Sequence, residues 1–361
     1  MEDQYTPIIS EEERAARRAA RAEARRKKQH ARRVRRFKQL VPVFAVCLLL
    51  VVALSAWAAN GRPKQPAPDA EDPAQLAAQE LPPAPPEKEQ PFSAKATAST
   101  VQLSAEFPSK HAVVVDVQTG EILAQKDAFT QVSPASMTKI LTLLVAVEHI
   151  TEADLDKTVT ITREMTDYCY VNGCSVVGLM VGETVSVREL LYGTILQSGA
   201  DAALGLAQYV SGSHEAFVQL MNDKLEELGL SDSAHFTNCV GLYDEAHLCS
   251  VYDMAMILKA AMDNELCRQV LDARTYETIP TTDHPDGQTL SNWFLRRIED
   301  KDTGDIRVVG AKTGYVTQAG SCAASCGEDP DGNRYICVTA DASSSWRAIY
   351  DHVDLYHLYC N

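Results

Sequence analysis

Ser136-Met137-Thr138-Lys139 sets a hydroxyl and an amine three residues apart, which makes them neighbours on one face of a helix. A serine hydroxyl is a weak nucleophile at neutral pH and needs a base. A lysine held among Ile140, Leu141 and Leu144 has its pKa lowered by desolvation, so its free amine can take that proton. Close to a helix start, unpaired backbone N–H groups and the helix dipole offer a place for an oxyanion. Lys312-Thr313-Gly314 ends the apolar run Arg307-Val308-Val309-Gly310-Ala311, which reads as an edge strand. There a cation and a hydroxyl can grip a carboxylate, a glycine admits a substrate backbone, and the N–H of Tyr315 points to the same place as that of Ser136. Between these segments, Ser198-Gly199 interrupts a helical pattern and can turn a hydroxyl into a cleft. Taken singly, each segment is common: the first is also an ordinary helix start with a surface lysine, the last an ordinary helix–helix connection.

Positioning them takes a mixed fold. His111 to Asp127 alternates apolar residues around a Thr119-Gly120 turn and predicts a β-hairpin. A helix should follow, capped by Ser133 with Pro134 at its first position, and its all-round apolarity predicts burial. Arg188 to Val210, His214 to Leu228, Val251 to Asp263 and Glu265 to Tyr276 have helical periodicity. Strands return at Ile306 to Lys312, Ala319 to Cys326 and Arg334 to Ala340, before an amphipathic terminal helix. The order predicts an α+β fold, an antiparallel sheet flanked by helices with an inserted helical subdomain, and a site in the crevice between sheet and insert.

S-x-x-K, then a serine-centred loop some sixty residues on, then K-T-G in a late strand, is a joint pattern far more specific than its parts. With ASMTKILTLLVAVE, HFTNCVGLYDEAHLCSVYDMAMI and GAKTGYVTQAGSCAAS, the body resembles the serine D-alanyl-D-alanine carboxypeptidases, the low-molecular-weight penicillin-binding proteins. The resemblance implies their β-lactamase-like fold, no cofactor, and peptidoglycan stem peptides and β-lactam antibiotics as ligands. It implies that Ser136 is the acylated nucleophile, Lys139 its base and Ser198 a proton relay. Lys312 and Thr313 would bind the terminal carboxylate, Gly314 would border the substrate, and the N–H groups of Ser136 and Tyr315 would form the oxyanion hole. Ala200 stands where the family usually has an asparagine, and Asp201 or Asn292 is a partial substitute. That departure keeps open a weak or inactive wall-binding scaffold, and a β-lactamase is the near neighbour in chemistry.

The chain has 361 residues, a net charge of −15 and 45% hydrophobic residues, enough for a full core. Its first 40 residues hold 13 Lys/Arg against 6 Asp/Glu, so the remainder is more acidic than the whole and should repel nucleic acid. Leu40 to Ala59 is 20 residues without a charge, about 30 Å of helix, which reads as a retained transmembrane segment with residues 1–39 cytoplasmic. A cleaved signal peptide is the competing reading. Residues 60–100 are Pro-rich and predict a spacer of up to ~120 Å, leaving 101–361 as the catalytic domain outside the cell membrane. Nine cysteines fall in that domain; short local loops favour bridges from Cys169 to Cys174 and from Cys239 to Cys249. No compact Cys/His set suggests a metal, and the scattered histidines read as surface or structural residues.

Overall fold

The computed structural model describes residues 92–360; the basic tail, the membrane segment and nearly all of the Pro-rich tract lie outside them. Among the described residues no helix is long and apolar enough to cross a membrane. The first elements are β1 (Lys95–Gln102), β2 (His111–Asp116) and β3 (Glu121–Lys126). The expected hairpin forms because the Asp116 carboxylate accepts from the amides of Gln118 and Thr119, while Gly120 takes φ 68°. β1 starts inside the tract read as spacer. Its Thr and Ser side chains bury no apolar face, and it holds by parallel pairing to β3 and by Thr97 and Ser99 hydroxyls on the Glu121 carboxylate.

A 3₁₀ turn, Ala135–Thr138, leads into α1 (Lys139–Glu148). Here the structure corrects the sequence: Ser133 caps nothing, and its buried hydroxyl finds no partner among the described residues. Lys139 through Val147 are all buried, as an apolar-all-round helix requires. The insert continues with β4 (Thr158–Thr160), α2 (Arg163–Asn172), β5 (Thr184–Ser186), α3 (Val187–Leu196), α4 (Ala200–Ser211), α5 (His214–Glu227), α6 (Val251–Asp263) and α7 (Glu265–Asp272). The Arg188 to Val210 pattern is therefore two helices broken at Ser198-Gly199. The pattern ending at Tyr276 stops at Asp272, because Thr275 and Tyr276, good strand formers, enter β6 (Thr275–Glu277), paired with β7 (Thr289–Ser291). Short α8 (Trp293–Ile298) precedes the meander β8 (Arg307–Val316), β9 (Gly320–Glu328), β10 (Arg334–Ala342), and α9 (Ser345–Tyr359) closes the fold.

The six-stranded sheet runs β1-β3-β2-β10-β9-β8, antiparallel except for β1 with β3. Strand alternation divides the core between its two faces. Val113, Val115, Ile336 and Val338 pack with the insert, whereas Ala112, Val114, Ala323 and Cys337 pack with α8 and α9. The α+β layout with an inserted helical subdomain is thus as expected. The nine cysteines of the described residues are all free thiols, so neither expected bridge is formed. Cys169 and Cys174 share a thiol–thiol hydrogen bond, whereas Cys239 directs its sulfur at the Ala203 carbonyl instead of Cys249.

Candidate active site

The turn before α1 is held from two sides by glycines. Ala135 sits at φ 48°, a left-handed value unusual for alanine. A Cβ on Gly314 of β8 would lie 2.9 Å from the Ser136 nitrogen and 3.0 Å from the Pro134 oxygen. One on Gly241 would lie 2.0 Å from the Ala135 oxygen. Backbone therefore meets backbone on both flanks of Ser136, where any side chain would force the turn apart.

Lys139, 1% exposed, donates from Nζ to Ser136 Oγ at 3.2 Å and to the Val240 carbonyl at 2.6 Å. Burial pushes its pKa down to about 8. Lys312, 2% exposed, donates to Ser198 Oγ at 2.9 Å and to the Thr313 carbonyl at 2.7 Å. Burial, and then the facing Lys139 amine, hold its pKa well below the ordinary lysine value. Ser198 occupies the α3–α4 break at φ 56° and, like Ser136 and Thr313, is half-buried. Ser136, Lys139, Ser198 and Lys312 thus converge, with Thr313 and Gly314 on the same strand and the peptide leading to Tyr315 beside Ser136. Tyr315 itself points outward, 67% exposed. None of these residues lines the roughly 770 Å³ cavity between Val181–Thr184 and Pro280–Asp283; they gather where α1 and the α3–α4 break meet β8, the edge strand of the sheet. Among the described residues no group of three His, Cys, Asp or Glu is placed to hold a metal ion.

Ala200 is buried, and neither substitute considered for its missing amide reaches Lys139 with a hydrogen bond. Asp201 accepts from the amides of Val177, Gly178, Leu179 and Ala202 at 2.9, 2.9, 3.1 and 3.0 Å. Asn292 caps α8 and donates to the Ala311 carbonyl, bracing β8 next to Lys312. The second partner of Lys139 is a carbonyl. Asn238 Oδ1 gathers the amides of Val240, Gly241 and Leu242 at 3.2, 2.7 and 3.0 Å, and the turn so made aims the Val240 oxygen at the amine. Sequence reasoning missed Asn238, Val240 and Gly241; the Asn-x-x-Gly spacing was the available turn signal.

Two results are expected here. Asp201→Ala leaves three loop amides and one helix amide without their acceptor, a cost of about 1–3 kcal/mol, and loosens the 177–179 segment packed on Gly199. A melting temperature unchanged from the parent would contradict it. The rate of reaction at Ser136 should also rise with pH through about 8, because only the deprotonated amine accepts a proton and burial sets that point. A pH-rate profile flat from 6.5 to 9 excludes Lys139 as the base.

A family model described as D-alanyl-D-alanine carboxypeptidase matches residues 95–344. The D-alanyl-D-alanine carboxypeptidase DacF of Bacillus subtilis is 33% identical over 216 residues, 59% of this chain and 52% of that protein. The D-alanyl-D-alanine carboxypeptidase of Streptomyces sp. strain K15 is 34% identical over 215 residues, 56% of this chain and 71% of that protein. The solved Streptomyces K15 DD-transpeptidase superposes with a TM-score of 0.62 at 27% identity, covering 70% of this chain and 98% of the other. This chain thus spans about half the length of the Bacillus relative.

Proposed function

The chain belongs to the D-alanyl-D-alanine carboxypeptidase family, and from that premise we propose that it is a serine hydrolase that trims the terminal D-alanine from peptidoglycan stem peptides through a Ser136 ester. The observation that carries this reading is the meeting of two hydroxyls and two buried amines at one place beside the edge strand β8. In the neutral amine the Ser136–Lys139 contact reverses, so the hydroxyl donates to the nitrogen lone pair as its oxygen attacks the penultimate D-Ala carbonyl. The N–H groups of Ser136 and Tyr315 take the developing oxyanion. Ser198 passes a proton to the departing amine, and D-alanine leaves. Water then cleaves the ester. Lys312 and Thr313 hold the terminal carboxylate, whose charge restores the proton that burial disfavours on Lys312. Gly314 lets β8 approach the Ser136 turn closely, which brings the Tyr315 peptide beside the nucleophile. A β-lactam mimics the dipeptide, acylates Ser136 and leaves slowly.

Residues 40–59 would anchor the chain in the cell membrane as a single pass, N-terminus cytoplasmic, and 60–100 would space the catalytic domain outside it. Protease added to intact cells should then degrade the domain and spare the basic tail. Fluorescent penicillin should label the wild-type protein, Ser136→Ala should lose the label by at least about 10³-fold, and D-alanine should be released from a pentapeptide. Labelling without release overturns the carboxypeptidase reading. Absence of labelling overturns the acyl-enzyme.

A further inference from the structure

His247 is fully buried and lies between the two backbone segments that define the nucleophile. On one side its Nε2 is 2.8 Å from Thr138 Oγ1, and that hydroxyl donates to the Ala135 carbonyl at 2.7 Å. On the other side its Nδ1 accepts from the Thr237 amide at 3.0 Å, at the base of the Asn238–Leu242 turn that offers the Val240 carbonyl to Lys139. The donor at Thr237 fixes the tautomer: Nδ1 is bare, so Nε2 carries the hydrogen and donates to Thr138. Since Thr138 then spends its own hydrogen on Ala135, the chain of bonds runs one way, from ring to hydroxyl to the carbonyl of the strained residue preceding Ser136.

We propose that His247 is a positioning residue for acyl transfer, a neutral clamp that fixes the Ser136 turn and the carbonyl partner of Lys139 in one register. The clamp faces a small and mixed set of groups. Burial brings the ring's pKa down to about 4; Asp244, in its own loop, works against this by favouring a charged ring, while His235, across a β-bridge, and Lys139, from α1, add to it. Phe236 stacks on the ring with centroids 4.7 Å apart, and the Asn238 amide lies 3.4 Å from Nδ1. A second proton would put Nδ1–H against the Thr237 N–H, so the clamp holds only while the ring is neutral.

This inference rests on the Ser136 acyl-transfer reading, and its test separates the two. In the full-length protein, acylation by fluorescent penicillin is resolved into the acylation rate constant and the pre-covalent dissociation constant. His247→Gln and Thr138→Val should each lower the rate constant by about 10–100-fold and shift the dissociation constant by less than about threefold, as small misplacements of a reacting atom do. Thr138→Ser, which keeps the hydroxyl, should stay within about threefold of wild type. The double variant should be no slower than the slower single, because both break one chain of bonds. If His247→Gln does not fold by circular dichroism, the threonine pair decides. Equal rates for Thr138→Val and Thr138→Ser, or losses that multiply in the double variant, overturn the clamp. In ¹⁵N-labelled wild-type protein, imidazole shifts should show a bare Nδ1 and a protonated Nε2 down to about pH 4; a hydrogen on Nδ1, or titration near the ordinary histidine value, also overturns it. That spectrum decides the clamp even if penicillin fails to label, an outcome that would sink the acyl-transfer reading alone.

Discussion

Lys139→Met will slow penicillin acylation by about 10³–10⁴-fold and leave the melting temperature at pH 7 unchanged or raised. The kinetic half follows from the amine being the only base in hydrogen-bond contact with Ser136 Oγ among the described residues. The stability half follows from burial. A lysine whose pKa falls from 10.5 to about 8 on folding binds fewer protons in the native state than in the unfolded chain. Between those two values stability rises with pH. Below about 8 the full penalty of the buried cation is present, roughly 3 kcal/mol at 1.36 kcal/mol per pH unit. Methionine fills similar space without the charge, and the loss of the 2.6 Å bond to Val240, about 1–3 kcal/mol, offsets most of the gain. Melting curves from pH 7 to 10 should show wild type gaining on the variant as pH rises. A variant that keeps a tenth of the wild-type acylation rate would remove Lys139 from the mechanism.

Among the glycines of the described residues, Gly241→Ala will bring its new methyl group closest to other atoms and will damage both stability and acylation. At φ 79° an alanine carries about 1–2 kcal/mol of backbone strain, and its Cβ would fall 2.0 Å from the Ala135 oxygen, 2.5 Å from the Ala135 carbonyl carbon and 2.9 Å from Ser136 Cα. All three are backbone atoms and cannot rotate aside. Relief requires moving the Ser136 turn or the Val240 carbonyl, so a loss of several kcal/mol should accompany at least about a 100-fold fall in acylation by the fraction that folds. Gly173→Ala is the control. It shares the positive φ, 66°, but has nothing within 4 Å, so it should cost about 1 kcal/mol and acylate normally. Similar behaviour of the two variants in melting and labelling would show that the close approach at Gly241 is unimportant.

Ser136, Lys139, Lys312 and Thr313 were legible because their types and order are local text, and the hairpin, helical insert and meander because periodicity survives in apolar residues. What the sequence hid has physical reasons. β1 pairs through backbone and hydroxyls, leaving no alternation of apolar residues to read. The partner of Lys139 is a main-chain oxygen, which any residue at 240 would supply, so no side-chain type announces it. Asp201 suggested a stand-in for the missing asparagine by its charge alone, but three amides of the 177–179 loop claim its carboxylate. The Cys239–Cys249 pair proposed from loop length ignored direction: Cys239 faces α4. Ser133 before Pro134 looked like a cap, but the left-handed Ala135 turns the chain before an α-helical first turn can form.

β1 and β8 form opposite margins of the sheet, five strand spacings or about 24 Å apart. The 91 residues preceding Phe92 therefore join the domain at the margin farthest from Lys312. Any tension on that stretch is borne first by the β1–β3 ladder, which unzips from the exposed rim while four further strands shield the opposite one. If residues 60–100 tether the domain as proposed, mechanical load and chemistry fall on separate borders of the sheet.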